Sequence, residues 1–123
     1  MTKKEITAKE YLELTDRTCK HIDGNGIHID TFMYDLLHAA LGVSGEAGEF
    51  LDAVKKSFIY NKPFDKENAK EELGDSLWYI ALACRTLNVS FEDLMRENIE
   101  KLAKRYPEKY TDAHAVARAD KNE

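Results

Sequence analysis

Four acidic residues set the chemical question. Glu46 and Glu49 stand three apart in "GEAGEF", and Glu72 and Asp75 stand three apart in "KEELGD". On an α-helix that interval places each pair on one face. Two such pairs meeting across an interaxial gap of about 8 to 10 Å would repel and raise one another's pKa unless a cation neutralised them. Only oxygen ligands are on offer, since no cysteine or histidine stands at ligand spacing, so Mg²⁺ is the expected ion, with Mn²⁺ as a substitute. Glu71, beside Glu72, points to a different face. A second set follows later, where Asn98, Lys101 and Arg105 align by steps of three and four. Read alone, Lys101 is an ordinary i, i+4 ion-pair partner of Glu97. Beside a carboxylate-bound metal, Lys101 and Arg105 would neutralise phosphate oxygens that the ion leaves uncovered, and Asn98 could donate to a phosphate or sugar.

The elements that must carry these side chains read as helices. Thr7 with Glu10, Asp65 with Asn68 and Ser90 with Asp93 each form a capping pattern. The first helix is predicted over 8–22 on the stripe Ala8, Tyr11, Leu12, Cys19 and Ile22, and "DGNG" breaks it. The second is predicted over 30–57, because Met33, Leu37, Ala40, Ser44, Ala47, Leu51 and Val54 keep steps of four and three straight through Gly42, Gly45 and Gly48. An interior glycine costs about 1 kcal/mol relative to alanine. The expected compensation is close helix approach and room for a ligand beside the acids.

Pro63 lies in the next turn, and a third helix is predicted over 66–87 on Ala69, Leu73, Leu77, Ile80, Cys84 and Leu87. The fourth spans 91–106 on Phe91, Met95, Ile99 and Leu102 and stops at Pro107. Glu46 and Glu72 each stand one position before a seam residue, which puts the acids at the edge of the buried face. Glu49 precedes the connecting turn by nearly as many residues as Glu72 follows it, so antiparallel neighbours would set the pairs at matching depth. The expectation is an all-α, four-helix-bundle-like domain over 1–106, followed by a polar tail, 107–123, loosely ordered or docked on a neighbouring subunit.

A chain of 123 residues fits one domain. Its 23 acidic and 18 basic residues give a net charge of −5, which argues against general binding of nucleic acid or anionic membranes. No apolar run approaches the roughly 20 residues needed to span a bilayer. Cys19 and Cys84 match no metal spacing, and the start of the chain lacks an apolar signal segment. Both features point to a reducing, cytoplasmic setting with the cysteines packed as small core residues. Leu36 and Phe50, off the main apolar stripe, point to self-association.

"GEAGEF", then "KEELGDSLWYI", then "NIEKLAKRY" together resemble the MazG-like branch of the all-α nucleoside triphosphate pyrophosphohydrolases, over about residues 30–106. That pattern is Glu-x-x-Glu, a spacer, Glu-x-x-Asp and a later Asn, Lys and Arg set, and here the spacer is the 22 residues 50–71. The resemblance implies hydrolysis of a (d)NTP between the α- and β-phosphates to a nucleoside monophosphate and pyrophosphate, in nucleotide pool control or cleansing. It implies Mg²⁺ held by Glu46, Glu49, Glu72 and Asp75, phosphate contacts from Lys101 and Arg105 with Asn98 nearby, and a homodimer or homotetramer. His38 and Trp78 are the candidates for contact with the base. Many relatives carry a further Glu before the first motif acid, where this chain has Gly45, so Glu46 or Glu49 would have to orient the water. A di-iron carboxylate bundle would want two Glu-x-x-His pairs, and the nearest match is a single Asp35-x-x-His38. The alternative from another class is a non-catalytic helical adaptor that binds through its acidic face.

Overall fold

Each long helix begins where a side chain can satisfy its free N–H groups. In a computed structural model, which describes residues 3–26 and 28–121, α1 (Ala8–Thr18) opens with the reciprocal Thr7–Glu10 capping box. Asp30 caps α2 (Thr31–Tyr60), accepting from the Met33 N–H at 2.8 Å. Asp65 caps α3 (Lys66–Leu87) by accepting from Asn68, and Ser90 caps α4 (Phe91–Arg105) by accepting from Asp93. The Asp93 carboxylate accepts from Arg96 Nη2 at 2.7 Å. A short α5 (Asp112–Ala117) and two 3-10 turns, Gly24–Gly26 and Ala119–Lys121, complete an all-α chain in which no strand occurs among the described residues.

The boundaries depart from prediction where side-chain chemistry overrides periodicity. α1 ends at Thr18 rather than 22, where Cys19 turns extended and its N–H donates to the Asp16 carbonyl, while the Thr15 and Thr18 hydroxyls donate to carbonyls of the last turns. Cys19 is exposed, contrary to its expected core position, as are Ala8, Tyr11, Leu12 and Ile22 of the predicted stripe, because α1 has no extensive contact with another element, while Cys84 is buried. α2 runs on to Tyr60, and Asn61 stops it by taking the left-handed conformation at φ 53°. The C-terminal segment is ordered as α5 and a 3-10 turn and folds back on α4 of the same chain. The predicted domain and tail also contain residues 1, 2, 27, 122 and 123, which lie outside the described residues.

α2 and α3 form an antiparallel hairpin, the most extensive helix pair of the chain, whereas α4 packs chiefly on the C-terminal segment. The face that α2 turns to α3 is not the predicted one. Ala39 and Ala53 are buried, with Gly42, Val43, Glu46 and Phe50 half-buried between them and Leu36 half-buried one turn before Ala39. On α3 the matching face is Ala69, Glu72, Ser76, Tyr79, Ile80 and Cys84. The predicted seam residues Met33, Leu37, Ala40, Ser44, Ala47, Leu51, Val54, Leu73 and Leu77 are exposed, Leu51 at 66% and Leu77 at 56%. Leu36 and Phe50, expected to lie outside, are partly covered.

Small side chains explain the exchange. A row of Ala and Gly lets two helices approach closely, while Met33, Leu37, Leu51, Leu73 and Leu77 lie on the outer faces. The chain exposes 10736 Å², against roughly 6,700 Å² for a compact protein of its mass. Among the described residues only Ala39, Ala53, Ala69 and Cys84 are buried.

Gly42 is part of this seam for a steric reason, since a Cβ there would overlap the Tyr79 ring. A Cβ at Gly45, Gly48 or Gly74 would meet nothing within 4 Å in this chain. The close-approach explanation therefore holds for Gly42 alone. Gly42→Ala is expected to lower stability by about 1 to 3 kcal/mol through overpacking, despite its gain in helix propensity. In a Tyr79→Ala background the same change should be neutral or stabilising by about 1 kcal/mol, a contrast that thermal or urea melts of the four proteins would read.

Candidate metal centre

The hairpin register sets the acids opposite one another. Glu46 and Glu49 come from the middle of α2, Glu72 and Asp75 from the first half of α3. Glu46, Glu72 and Asp75 each offer a carboxylate oxygen, and the three oxygens lie within 4.8 Å of one another. Glu49 stands beside Glu72 and outside that tightest trio.

Like charges at this spacing leave a mark on titration. Glu49 is raised above the ordinary carboxylate range, first because its carboxyl lies within hydrogen-bonding reach of Glu72, then by that neighbour's charge, partial desolvation and the charge of Asp75. Glu72 is raised chiefly by the Glu46 carboxyl, with desolvation and the charges of Glu46 and Asp75 adding to it and Glu49 opposing. As carboxylates, these groups can only accept. Glu46 Oε2 and Glu72 Oε2 are accordingly shielded from water with no hydrogen-bond partner. An unpartnered buried acceptor carries its full desolvation penalty, and a divalent cation with hard oxygen ligands would satisfy both oxygens at once.

A recess of about 370 Å³ beside the acids is lined by Glu46, Asp75, Trp78 and Tyr79. His38 reaches over from α2 with its ring centroid 6.3 Å from Trp78 and 5.8 Å from Tyr79, and Tyr34 lies 6.3 Å from His38. Trp78 and Tyr79 meet edge to face at 5.1 Å. His38 and Trp78, singled out from the sequence, are thus brought together next to the carboxylates. Tyr34 and Tyr79 were missed, although Tyr79 continues the row through Glu72 and Asp75 and Tyr34 precedes His38 by one turn.

The α4 set is placed differently. None of Asn98, Lys101 and Arg105 lines the recess. Arg105 donates from Nε and Nη2 to the two carboxylate oxygens of Asp120, at 2.8 and 3.0 Å. That fork pushes the Asp120 carboxyl down to about 2. Lys101 borders a cleft shared with Glu97, Glu100, Lys104 and Asp120. Sequence spacing gave no sign of Asp120, which lies fifteen residues beyond its partner.

The raised carboxyls fix the sign of a pH dependence in the metal-free protein. The folded state holds these protons more tightly than the unfolded chain, so their contribution is complete below the ordinary Glu value of roughly 4.3 and is lost as pH rises through the raised values. Glu72→Gln should therefore raise the metal-free Tm at neutral pH and flatten its decline from acid to neutral pH. It should also remove any stabilisation by millimolar Mg²⁺. Thermal melts across that range, with and without the ion, check all three.

The model of the MazG nucleotide pyrophosphohydrolase domain matches residues 35–110, more than half of the chain. The Gene 37 protein of Mycobacterium phage L5 is 32% identical over 75 residues, covering 57% of this chain and 65% of that protein. The uncharacterized protein YvdC of Bacillus subtilis (strain 168) is 37% identical over 70 residues, covering 50% of this chain and 66% of that protein. The aligned regions thus take in just under two thirds of each relative's length. No solved structure matches the chain. The matched span contains both acid pairs, His38, Trp78 and Tyr79 beside them, and the α4 row, and the chain belongs to the MazG nucleotide pyrophosphohydrolase domain family.

Proposed function

We propose that this protein is a Mg²⁺-dependent nucleoside triphosphate pyrophosphohydrolase, cleaving a (d)NTP between its α- and β-phosphates to a (d)NMP and pyrophosphate. The observation that carries the reading is the pair of shielded, unpartnered oxygens on Glu46 and Glu72 within a cluster of like charge, in a chain of this family. Glu46, Glu49, Glu72 and Asp75 would hold the metal, with Mn²⁺ able to replace Mg²⁺. When bound, such an ion neutralises phosphate charge, lowers the pKa of a bound water and stabilises the pyrophosphate leaving group.

The remaining roles fall to the chain's own side chains. With glycine at position 45, Glu46 or Glu49 accepts the proton of the attacking water. Glu49, beside the closest trio rather than within it, is the better placed of the two. The exposed aromatic faces of Trp78 and His38 offer the base a stacking surface within reach of the acids. Lys101 and Arg105 supply positive charge to the phosphates and Asn98 a donor.

Those three residues belong to α4, outside the recess of their own chain, and the outward stripes of α2 and α3 expose Met33, Leu37, Leu51, Leu73 and Leu77. A second copy would answer both facts by covering the apolar faces and completing a bundle, as a homodimer or a homotetramer. The excess exposed area of roughly 4,000 Å² per chain exceeds the share of one partner in an obligate interface, which buries roughly 2,000 to 5,000 Å² over both partners. The free cysteines fit a reducing, cytoplasmic setting. The longest helices are too polar to cross a membrane among the described residues.

A panel of canonical and modified (d)NTPs with Mg²⁺, scored for pyrophosphate release, tests the reaction. Asp75→Asn should lower turnover at least about a hundredfold while circular dichroism keeps its helical signal, and sedimentation should give the mass of two or four chains. Release of pyrophosphate from no nucleotide, or turnover unchanged in Asp75→Asn, would refute the reading and favour the adaptor.

A further inference from the structure

The Asp120 side chain is 1% exposed although it stands on the last turn of a polar C-terminal segment. Its two oxygens are gripped by the Arg105 fork at 2.8 and 3.0 Å, and Arg118 Nε lies 3.7 Å away. The Arg105 side chain is itself only 17% exposed and lies 5.9 Å from the centre of the Tyr106 ring. A cleft of about 240 Å³ beside the carboxylate is walled by Lys101 and Lys104, with Glu97 and Glu100. Asp120 thus fills the anion position of a basic cluster at the C-terminal end of α4. A guanidinium fork takes a phosphate in the same geometry as a carboxylate.

Two further features shape what this contact can do. Glu97 and Glu100 on the same cleft oppose an additional anion, so a phosphate gains Arg105 by replacing Asp120 rather than by joining it. The segment from Thr111 to Lys121 also lies beyond residue 110, where the family match stops, and its packing is chiefly on α4, through the 3-10 turn that carries Asp120. Such a segment can leave α4 without disturbing the α2–α3 hairpin.

We propose that the C-terminal segment is an internal competitor for polyphosphate, its Asp120 carboxylate occupying the Arg105 fork that a substrate phosphate takes once the segment releases. The proposal rests on the reading that Asn98, Lys101 and Arg105 receive phosphates. It also makes the segment a place where affinity can be tuned without touching the carboxylates.

Two variants test it, Asp120→Asn and a chain ending at residue 110, the second guarding against a misfolded tail in the first. Calorimetry with inorganic tripolyphosphate in the absence of metal should show binding about tenfold tighter in both than in the full wild-type chain, the size expected when one charge-assisted contact is released. The gain should vanish when Arg105→Ala is added. With the (d)NTP turned over fastest, KM should fall about tenfold while kcat stays unchanged. Equal or weaker tripolyphosphate binding in both variants would overturn the latch. If the wild type hydrolyses no nucleotide yet the Arg105-dependent gain is present, the latch stands and the pyrophosphohydrolase reading falls. Turnover with unchanged affinity gives the converse.

Discussion

The structure turns on acceptors facing acceptors in a helical seam. Glu46, Glu72 and Asp75 meet between α2 and α3, where a hairpin would ordinarily bury Leu and Val, and two of their oxygens are shielded with nothing to donate to them. Holding such groups together requires helices that approach closely, and the alanines at 39, 53 and 69 with Gly42 provide that approach. With small residues and acids on the inner face, much of the apolar stripe that periodicity reveals, Leu51 and Leu77 included, looks outward. The large exposed area and the placement of the acids are thus two results of a single packing choice.

That choice also explains which parts of the protein could be read in advance. The number and type of the long helices were legible because capping residues and a period of three and four are local signals. α3 falls on its expected limits, and the two acid pairs face each other as their equal depth about the turn implied. On α3 the expected Ala69, Ile80 and Cys84 do lie on the covered face, but the α2 seam was misassigned for a physical reason: a hydrophobic stripe shows that a helix has a face to bury, not which neighbour buries it. Leu51 and Leu77 carry the stripe and remain exposed, whereas Ala39 and Ala53, far less hydrophobic, lie buried. The exposure of Cys19 has the same origin, since α1 carries an apolar stripe but has no extensive contact with another element, and Tyr11 and Leu12 are exposed with it.

Long-range pairing was the other blind spot. The Arg105–Asp120 fork links α4 to a turn whose composition reads as polar tail, and no helical interval connects them. The aromatic group was half visible. His38 and Trp78 could be named from their nearness to the acids, while the role of Tyr79 emerges only from the ring lying against Gly42. Of three glycines at intervals of three, one is explained by that contact. The other two open onto space that a further layer of the bundle or a bound ligand would fill.

Both the packing of the hairpin and the proposed chemistry depend on the facing carboxylates sharing a divalent ion. Diffraction from crystals soaked in Mn²⁺, collected where manganese scatters anomalously, asks this most directly. The account predicts an anomalous peak among the carboxylate oxygens of Glu46, Glu72 and Asp75. Carboxylates turned out to solvent, with no anomalous density between them, would contradict it.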